Sequence, residues 1–281
     1  MVERRALGST GEKLSIIGLG GIVVADLPQE EADRIVGEAV DRGINYFDVA
    51  PTYGNAEERL GPALEPYRSN VFLVGKTEQR DKAGSAAALE TTLKRLRTDH
   101  LDLYQLHGMV SMKDVETVFG PDGAMETFQS AKRDGKVRFL GFSAHTEEAA
   151  LELLKRFPFD TVLFPFNFVC WYQSGFGPRV MEEAKKKGAA RLALKAMARS
   201  PYEGKRKYDK CWYQPFEDPE EAALALRWTL SHEVTAAIPP GEPKFFTLAL
   251  DIAKDFRPLS IEEVDQLKVM AKGLQAIFPT E

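Results

Sequence analysis

Short apolar runs alternate along this chain with stretches whose apolar residues fall three and four apart. The runs are 16–20, 46–50, 71–76, 101–107, 137–143, 161–166, 192–197 and 234–238. Continuous apolar character of this length predicts strands covered on both faces, as parallel strands are. The stretch 29–42 places Ala32, Ile35, Val36, Ala39 and Val40 on one helical face, and Gly43 stops it. Further helices are expected from Asn55 onward and at 85–97, 124–133, 146–156, 178–187 and 222–230, with more helical pattern after 238. Their ends carry start signals: Asn55 with Glu58 as a capping pair, Thr146 ahead of Glu147 and Glu148, and Asp218-Pro219-Glu220-Glu221. Two short segments around Gly11 predict an N-terminal hairpin. Eight strand–helix units over about 250 residues make the pattern of a (β/α)8 TIM barrel. An extra C-terminal helix follows. No linker-like stretch interrupts the pattern, so one domain, 1–281, is expected.

Composition narrows the setting without changing this picture. The 281 residues are 44% hydrophobic and 28% charged, enough for a large core. A net charge of −5 gives no electrostatic footprint for nucleic acid. Two scattered cysteines, Cys170 and Cys211, suit neither a disulfide framework nor a metal site. The basic N-terminus has no apolar stretch behind it, and no run approaches a membrane span. A cytoplasmic protein is expected, with no membrane or nucleic-acid partner and an oligomeric state left open.

In such a barrel, chemistry collects at the C-terminal ends of the strands. There the sequence sets Asp48 and Tyr53 after the second run, Lys76 after the third and His107 after the fourth. Ser143 and His145 follow the fifth, Asn167 follows the sixth, and Lys195 lies in the seventh. Gly75-Lys76-Thr77 ends as a phosphate-binding loop ends, but the residues before it form a strand, and Asn70 stands where that loop needs glycine. Singly, each residue has a plainer reading: a buried ion pair, a packed phenol, a hydrogen-bonded core imidazole. Jointly they describe a site.

The segment Gly43-Ile44-Asn45-Tyr46-Phe47-Asp48-Val49-Ala50-Pro51-Thr52-Tyr53-Gly54, continued by Glu57-Glu58-Arg59-Leu60-Gly61, resembles the signature of the aldo-keto reductases. Val74-Gly75-Lys76-Thr77, Leu101 through His107, and Asp134-Gly135-Lys136-Val137-Arg138 with Gly141-Phe142-Ser143 resemble that family's later segments, in order. The resemblance implies an NAD(P)H-dependent oxidoreductase that reduces a small aldehyde or ketone, with Asp48, Tyr53, Lys76 and His107 in the catalytic positions. It implies Tyr53 as proton donor and His107 as a hydrogen bond donor orienting the carbonyl. A lysine beside a phenol is expected to lower its pKa from about 10. The expected cofactor contacts are Gly21, Asp48, Ser143, Asn167, Lys195, Met197, Pro239, Gly241, Glu242 and Lys244, with NADP(H) favoured over NAD(H).

Departures from the family pattern bear on the cofactor. Ser143 is followed by Ala144-His145 rather than asparagine, and the seventh run carries Lys195 where many members have an aromatic-Ser-Pro segment. A lysine there is closer to a bacterial subgroup; the C-terminal iron–sulfur cysteines of some relatives are lacking. Lys244 is a candidate for the 2′-phosphate, and Glu242 would repel it. The loop 199–217, with Lys205, Arg206, Lys207, Lys210, Trp212 and Tyr213, reads as a lid. Two other functions stay open: a cofactor-binding sensor or scaffold with little turnover, and a lyase using Lys76 as a Schiff-base amine.

Overall fold

The computed structural model describes residues 1–278. Strands β1 (Arg4–Ala6) and β2 (Lys13–Ser15) form the N-terminal hairpin. The barrel strands are β3 (Leu19–Gly20), β4 (Tyr46–Asp48), β5 (Phe72–Thr77), β6 (Leu101–Met109), β7 (Val137–Ala144), β8 (Thr161–Pro165), β9 (Ala190–Leu194) and β12 (Ala236–Ile238). They run parallel in the order β3-β4-β5-β6-β7-β8-β9-β12. The circle closes where the Gly18 N–H donates to Ala237 C=O at 3.0 Å and the Ala237 N–H donates to Ile16 C=O at 2.9 Å. This is the (β/α)8 architecture that the alternation predicts.

The helices cover the outer face. They are α1 (Gln29–Asp41), α2 (Ala56–Leu64), α3 (Lys82–Leu96), α4 (Met112–Phe119), α5 (Ala124–Arg133), α6 (Glu147–Arg156), α7 (Phe168–Gln173), α8 (Pro178–Lys187), α9 (Pro219–Leu230), α10 (Pro243–Lys254) and α11 (Ile261–Ala271). Two cores result. A large one lies between helices and strands. A smaller one fills the barrel with Tyr46, Phe72, Val74, Leu103, Leu163 and Leu192, and into it the hairpin inserts Leu7 and Leu14. The hairpin therefore plugs the floor. Asn45 secures it: its Oδ1 accepts from Ser15 N–H at 2.7 Å, and its Nδ2 donates to Lys13 C=O at 2.9 Å. At the N-terminal end of β6, Asp102 accepts from the Leu73 N–H, Arg68 and Arg138. A buried carboxylate so fully paired, at the face opposite the chemistry, serves stability.

Several local expectations are corrected. Asn55 does precede α2 but does not cap it; its Oδ1 accepts from Asp26 N–H at 2.7 Å, tying α2 to the loop before α1. Helix α3 begins earlier than expected, at Lys82, because Asp81 accepts from the Gly84 N–H. The seventh barrel strand ends at Leu194, so Lys195 lies past it. The loop 199–217 is partly ordered by a further antiparallel pair, β10 (Ala198–Pro201) with β11 (Tyr213–Pro215). Among the described residues no helix is long and apolar enough to cross a membrane, and Cys170 and Cys211 are free and buried.

Candidate active site

Asp48 is the last residue of β4, Lys76 lies near the end of β5, and His107 near the end of β6. Neighbouring parallel strands thus bring three polar side chains to one rim, while Tyr53 comes from the loop between β4 and α2. Lys76 is fully buried and donates to Asp48 Oδ1; a longer bond reaches Val49 C=O at 3.4 Å. Asp48 Oδ2 accepts from the Tyr46 hydroxyl at 3.4 Å. The ammonium stands 5.7 Å from the centre of the Tyr53 ring, and that ring meets His107 edge-on at 5.7 Å. A chain of contacts therefore runs Tyr46–Asp48–Lys76–Tyr53–His107.

A cavity of about 330 Å³ opens on this rim. Asp48, Tyr53 and His107 line it together with Gly20, His145, Lys195 and the segment from Ile238 to Gly241. The lid loop adds Arg206, Asp209, Lys210, Trp212 and Tyr213. A larger groove, about 760 Å³, lies between α4, α6 and α8. Its walls are mostly solvated glutamates, lysines and arginine, with no converging buried polar groups, so the smaller cavity is the candidate site.

Burial governs the protonation states. It pushes Lys76 down and Asp48 up, each offset by the charge of the other. Burial also raises the Tyr53 phenol well above its usual value, and the Asp48 and Glu78 carboxylates add to that rise. This reverses the expectation that Lys76 lowers it. Desolvation outweighs one cation whose field Asp48 already offsets. His107 is lowered to about 3 by burial, then by Lys76, His145, Arg80 and Lys195. It is neutral near pH 7. The Glu78 carboxylate stands 3.4 Å from its Nδ1 without the alignment of a hydrogen bond, and Nδ1 has no other partner among the described residues.

The expected cofactor residues divide. Asp48, Lys195, Pro239 and Gly241 line the cavity; Gly21, Ser143, Asn167, Met197, Glu242 and Lys244 do not. Gly21 is closed in, since a Cβ there would meet Val49 and Leu60 side chains at 2.7 to 3.1 Å. Met197 is core. Ser143 accepts from the Gly108 N–H at 2.8 Å. Glu242 precedes α10 and accepts from the Lys210 N–H at 3.3 Å, while Lys244 donates to the Tyr208 hydroxyl at 2.6 Å. Asn167 caps α7 through Oδ1, which leaves its buried Nδ2 without a partner among the described residues. Sequence reading missed Tyr46, whose hydroxyl meets Asp48, and Glu78. The density of basic and aromatic residues in the lid loop was the signal for Arg206, Lys210, Trp212 and Tyr213.

A sequence model of the Aldo/keto reductase family matches residues 16–210. The chain belongs to that family. The matched stretch holds every strand of the barrel except β12 and ends just before the aromatic pair of the lid. This aldo/keto reductase is 29% identical over 180 residues to the uncharacterized oxidoreductase YqkF of Bacillus subtilis, a match that covers 59% of this chain and 56% of that protein. The chain thus spans little more than half the length of that relative. Among solved structures, the holo form of an aldo-keto reductase from Bacillus halodurans superposes with a TM-score of 0.77 at 24% identity, covering 99% of both chains. An aldo/keto reductase from Klebsiella pneumoniae, crystallised with NADP and acetate, gives 0.75 at 23%, covering 99% of this chain and 98% of that one. At such identities the likeness speaks for the fold.

Proposed function

We propose that this aldo/keto reductase is an NAD(P)H-dependent reductase of small aldehydes or ketones. One observation carries the reading: a phenol and a neutral imidazole line the same cavity, with a buried lysine–aspartate pair directly behind the phenol. Family membership supports the nicotinamide cofactor, and the residues present suit one. Arg206 and Lys210 line the mouth beside Pro239–Gly241, and α10 begins just beyond, a set of positive ends suited to phosphates. Bound at this mouth, a reduced nicotinamide supplies the hydride that converts C=O to CH–OH.

Everything else falls to the side chains. Tyr53 gives its hydroxyl proton to the carbonyl oxygen as negative charge develops there. Its raised pKa keeps the donor loaded over the working range. The transfer remains downhill because an alkoxide is a stronger base than a phenolate. Lys76 stabilises the phenolate left behind, and Asp48 fixes the ammonium in place while compensating its burial. His107, held neutral, donates one N–H to the carbonyl oxygen and so orients it. Lys76 has no access to the cavity as a free amine, which leaves the Schiff-base reading at this residue without support.

Fluorescence titration with NADPH and NADH, followed by a panel of carbonyl compounds, tests the reading. Saturable binding of at least one coenzyme and its oxidation by a carbonyl compound are expected. Binding of neither overturns the proposal, and binding without turnover on any carbonyl would turn it into a sensor.

A further inference from the structure

Lys195 is a cation without an acid. Of the charged groups that line the cavity, Asp48 is taken by Lys76 behind it, Lys210 donates to Val23 C=O at 3.0 Å on the side of Glu242, and Arg206 and Asp209 come from the loop 199–217 at the mouth. Lys195 has neither a carboxylate nor a hydrogen-bond acceptor among the described residues. Its ammonium lies 5.1 Å from the Trp212 ring centre and 5.3 Å from that of Tyr213. Its charge reaches both His145 and His107. His145 lines the same wall, and its ring is lowered to about 4, so that it too is a neutral N–H donor. Lys195 and His145 therefore present donors that neither carboxylate of the cavity lining, Asp48 or Asp209, meets.

The backbone adds an independent observation. Lys195 has φ +63, a left-handed conformation that glycine adopts freely and a long side chain does not. The Ala198 N–H closes the turn on Lys195 C=O at 3.0 Å. Just past the end of β9, that turn aims the side chain between the two lid aromatics and toward the cavity. Strain held at a cavity wall marks a position where the side chain is wanted. Burial holds the amine at about 8, so it is still largely protonated at neutral pH.

We propose that Lys195 recognises a carboxylate on the substrate, and that the substrates of this enzyme are short carbonyl acids. The inference rests on the carbonyl reductase reading and names its substrate class. One ammonium flanked by aromatic faces, with one neutral imidazole N–H beside it, matches a monoanion. A phosphate dianion would call for a second cation or a fork of donors on this wall. The cavity, about 330 Å³, suits a small acid whose carboxylate meets Lys195 while its carbonyl meets Tyr53 and His107. The acid product, a hydroxy acid, keeps the same carboxylate contact.

The test compares glyoxylate, pyruvate and succinic semialdehyde, each with its neutral methyl ester, in wild type, Lys195→Gln and Lys195→Arg. Calorimetric binding of oxamate and succinate to the cofactor-free protein is measured alongside. The ratio of kcat/KM for acid over ester is expected to fall about 100-fold in Lys195→Gln, mainly through KM, and to recover in Lys195→Arg. Carboxylate binding to the cofactor-free protein is expected to fall likewise. Should Lys195→Gln fail to fold, Lys195→Gly, which suits the left-handed backbone, replaces it. Equal losses on acid and ester, or weakened NADPH or NADH binding with the ratio intact, would overturn the proposal and assign Lys195 to the cofactor. Borohydride trapping of a substrate on Lys195 would overturn it in favour of an imine. If wild type reduces neither acid nor ester while the variant still loses oxamate and succinate binding, the carboxylate site stands and the reductase reading falls.

Discussion

Tyr53 and the Lys76–Asp48 pair carry opposite demands at the scale of single residues. On the proposed reaction the phenol must stay protonated until the carbonyl needs its proton, and burial raises its pKa in that direction. Tyr53→Phe is expected to lower carbonyl reduction by about 10²–10⁴-fold at saturating cofactor, with coenzyme affinity little changed; a loss of less than about threefold would remove Tyr53 from the mechanism. The buried pair makes a second, structural prediction. Lys76→Met and Asp48→Asn each leave one polar partner stranded and should cost about 3–5 kcal/mol, whereas the double variant should lose far less than the sum. Denaturant titrations of all four proteins give the coupling directly, and additive losses would mean that the two groups do not depend on each other. The four polar residues were legible because each stands at or just after the end of an apolar run. The sign of the phenol shift was not. Sequence supplies the neighbours of Tyr53 but not its burial, and burial decides.

Among the elements, the barrel strands could be read because parallel strands covered on both faces are apolar throughout. Helix α4 escaped although Ser111 and Asp114 form a complete capping box, because it follows β6 with hardly a break. Helix α7 is a single aromatic-rich segment with no room for a period to show. The β10–β11 pair shifts register between Ala198 and Ser200, so no clean alternation marks it. That pair anchors the loop 199–217, whose tip is tied down by side chains. Lys244 donates to the Tyr208 hydroxyl, which donates to Glu217 at 2.5 Å, and Glu217 also pairs with Lys207 at 2.6 Å. Tyr208→Phe breaks two of these bonds without removing the ring from its edge-on contact with Phe245. Faster amide exchange across 205–212 and parallel weakening of NADPH and NADH are expected. Selective weakening of NADPH alone would instead return Lys244, now deprived of its hydroxyl partner, to the role of a phosphate reader.

For the molecule as a whole, the histidines set the acid limit. His107 and His145 are held near 3 and 4, against about 6.5 when unfolded. Below pH 6.5 the unfolded chain takes up protons that the folded chain refuses. Their stabilising effect is therefore complete above about pH 6.5 and is lost as pH falls toward 4 and then 3, on the order of 3–5 kcal/mol for each imidazole. Urea midpoints measured from pH 7.5 to 4.5 should hold down to about pH 6.5 and fall below it, and His145→Gln should flatten that fall. An unchanged slope would mean that His145 titrates normally in the fold.

The hairpin at the other end of the barrel has a kinetic consequence. Leu7 and Leu14 shut the floor of a barrel that side chains already fill, so nothing reaches the cavity along the barrel axis and both reactants must come through the mouth at the opposite rim. Two molecules that meet in that cavity share one mouth, and the one lodged deeper leaves last. On the proposed reaction, this means compulsory order rather than free exchange. If the coenzyme is the deeper of the two, product-inhibition patterns should show it entering first and departing last, and a random pattern would mean that the mouth admits both at once.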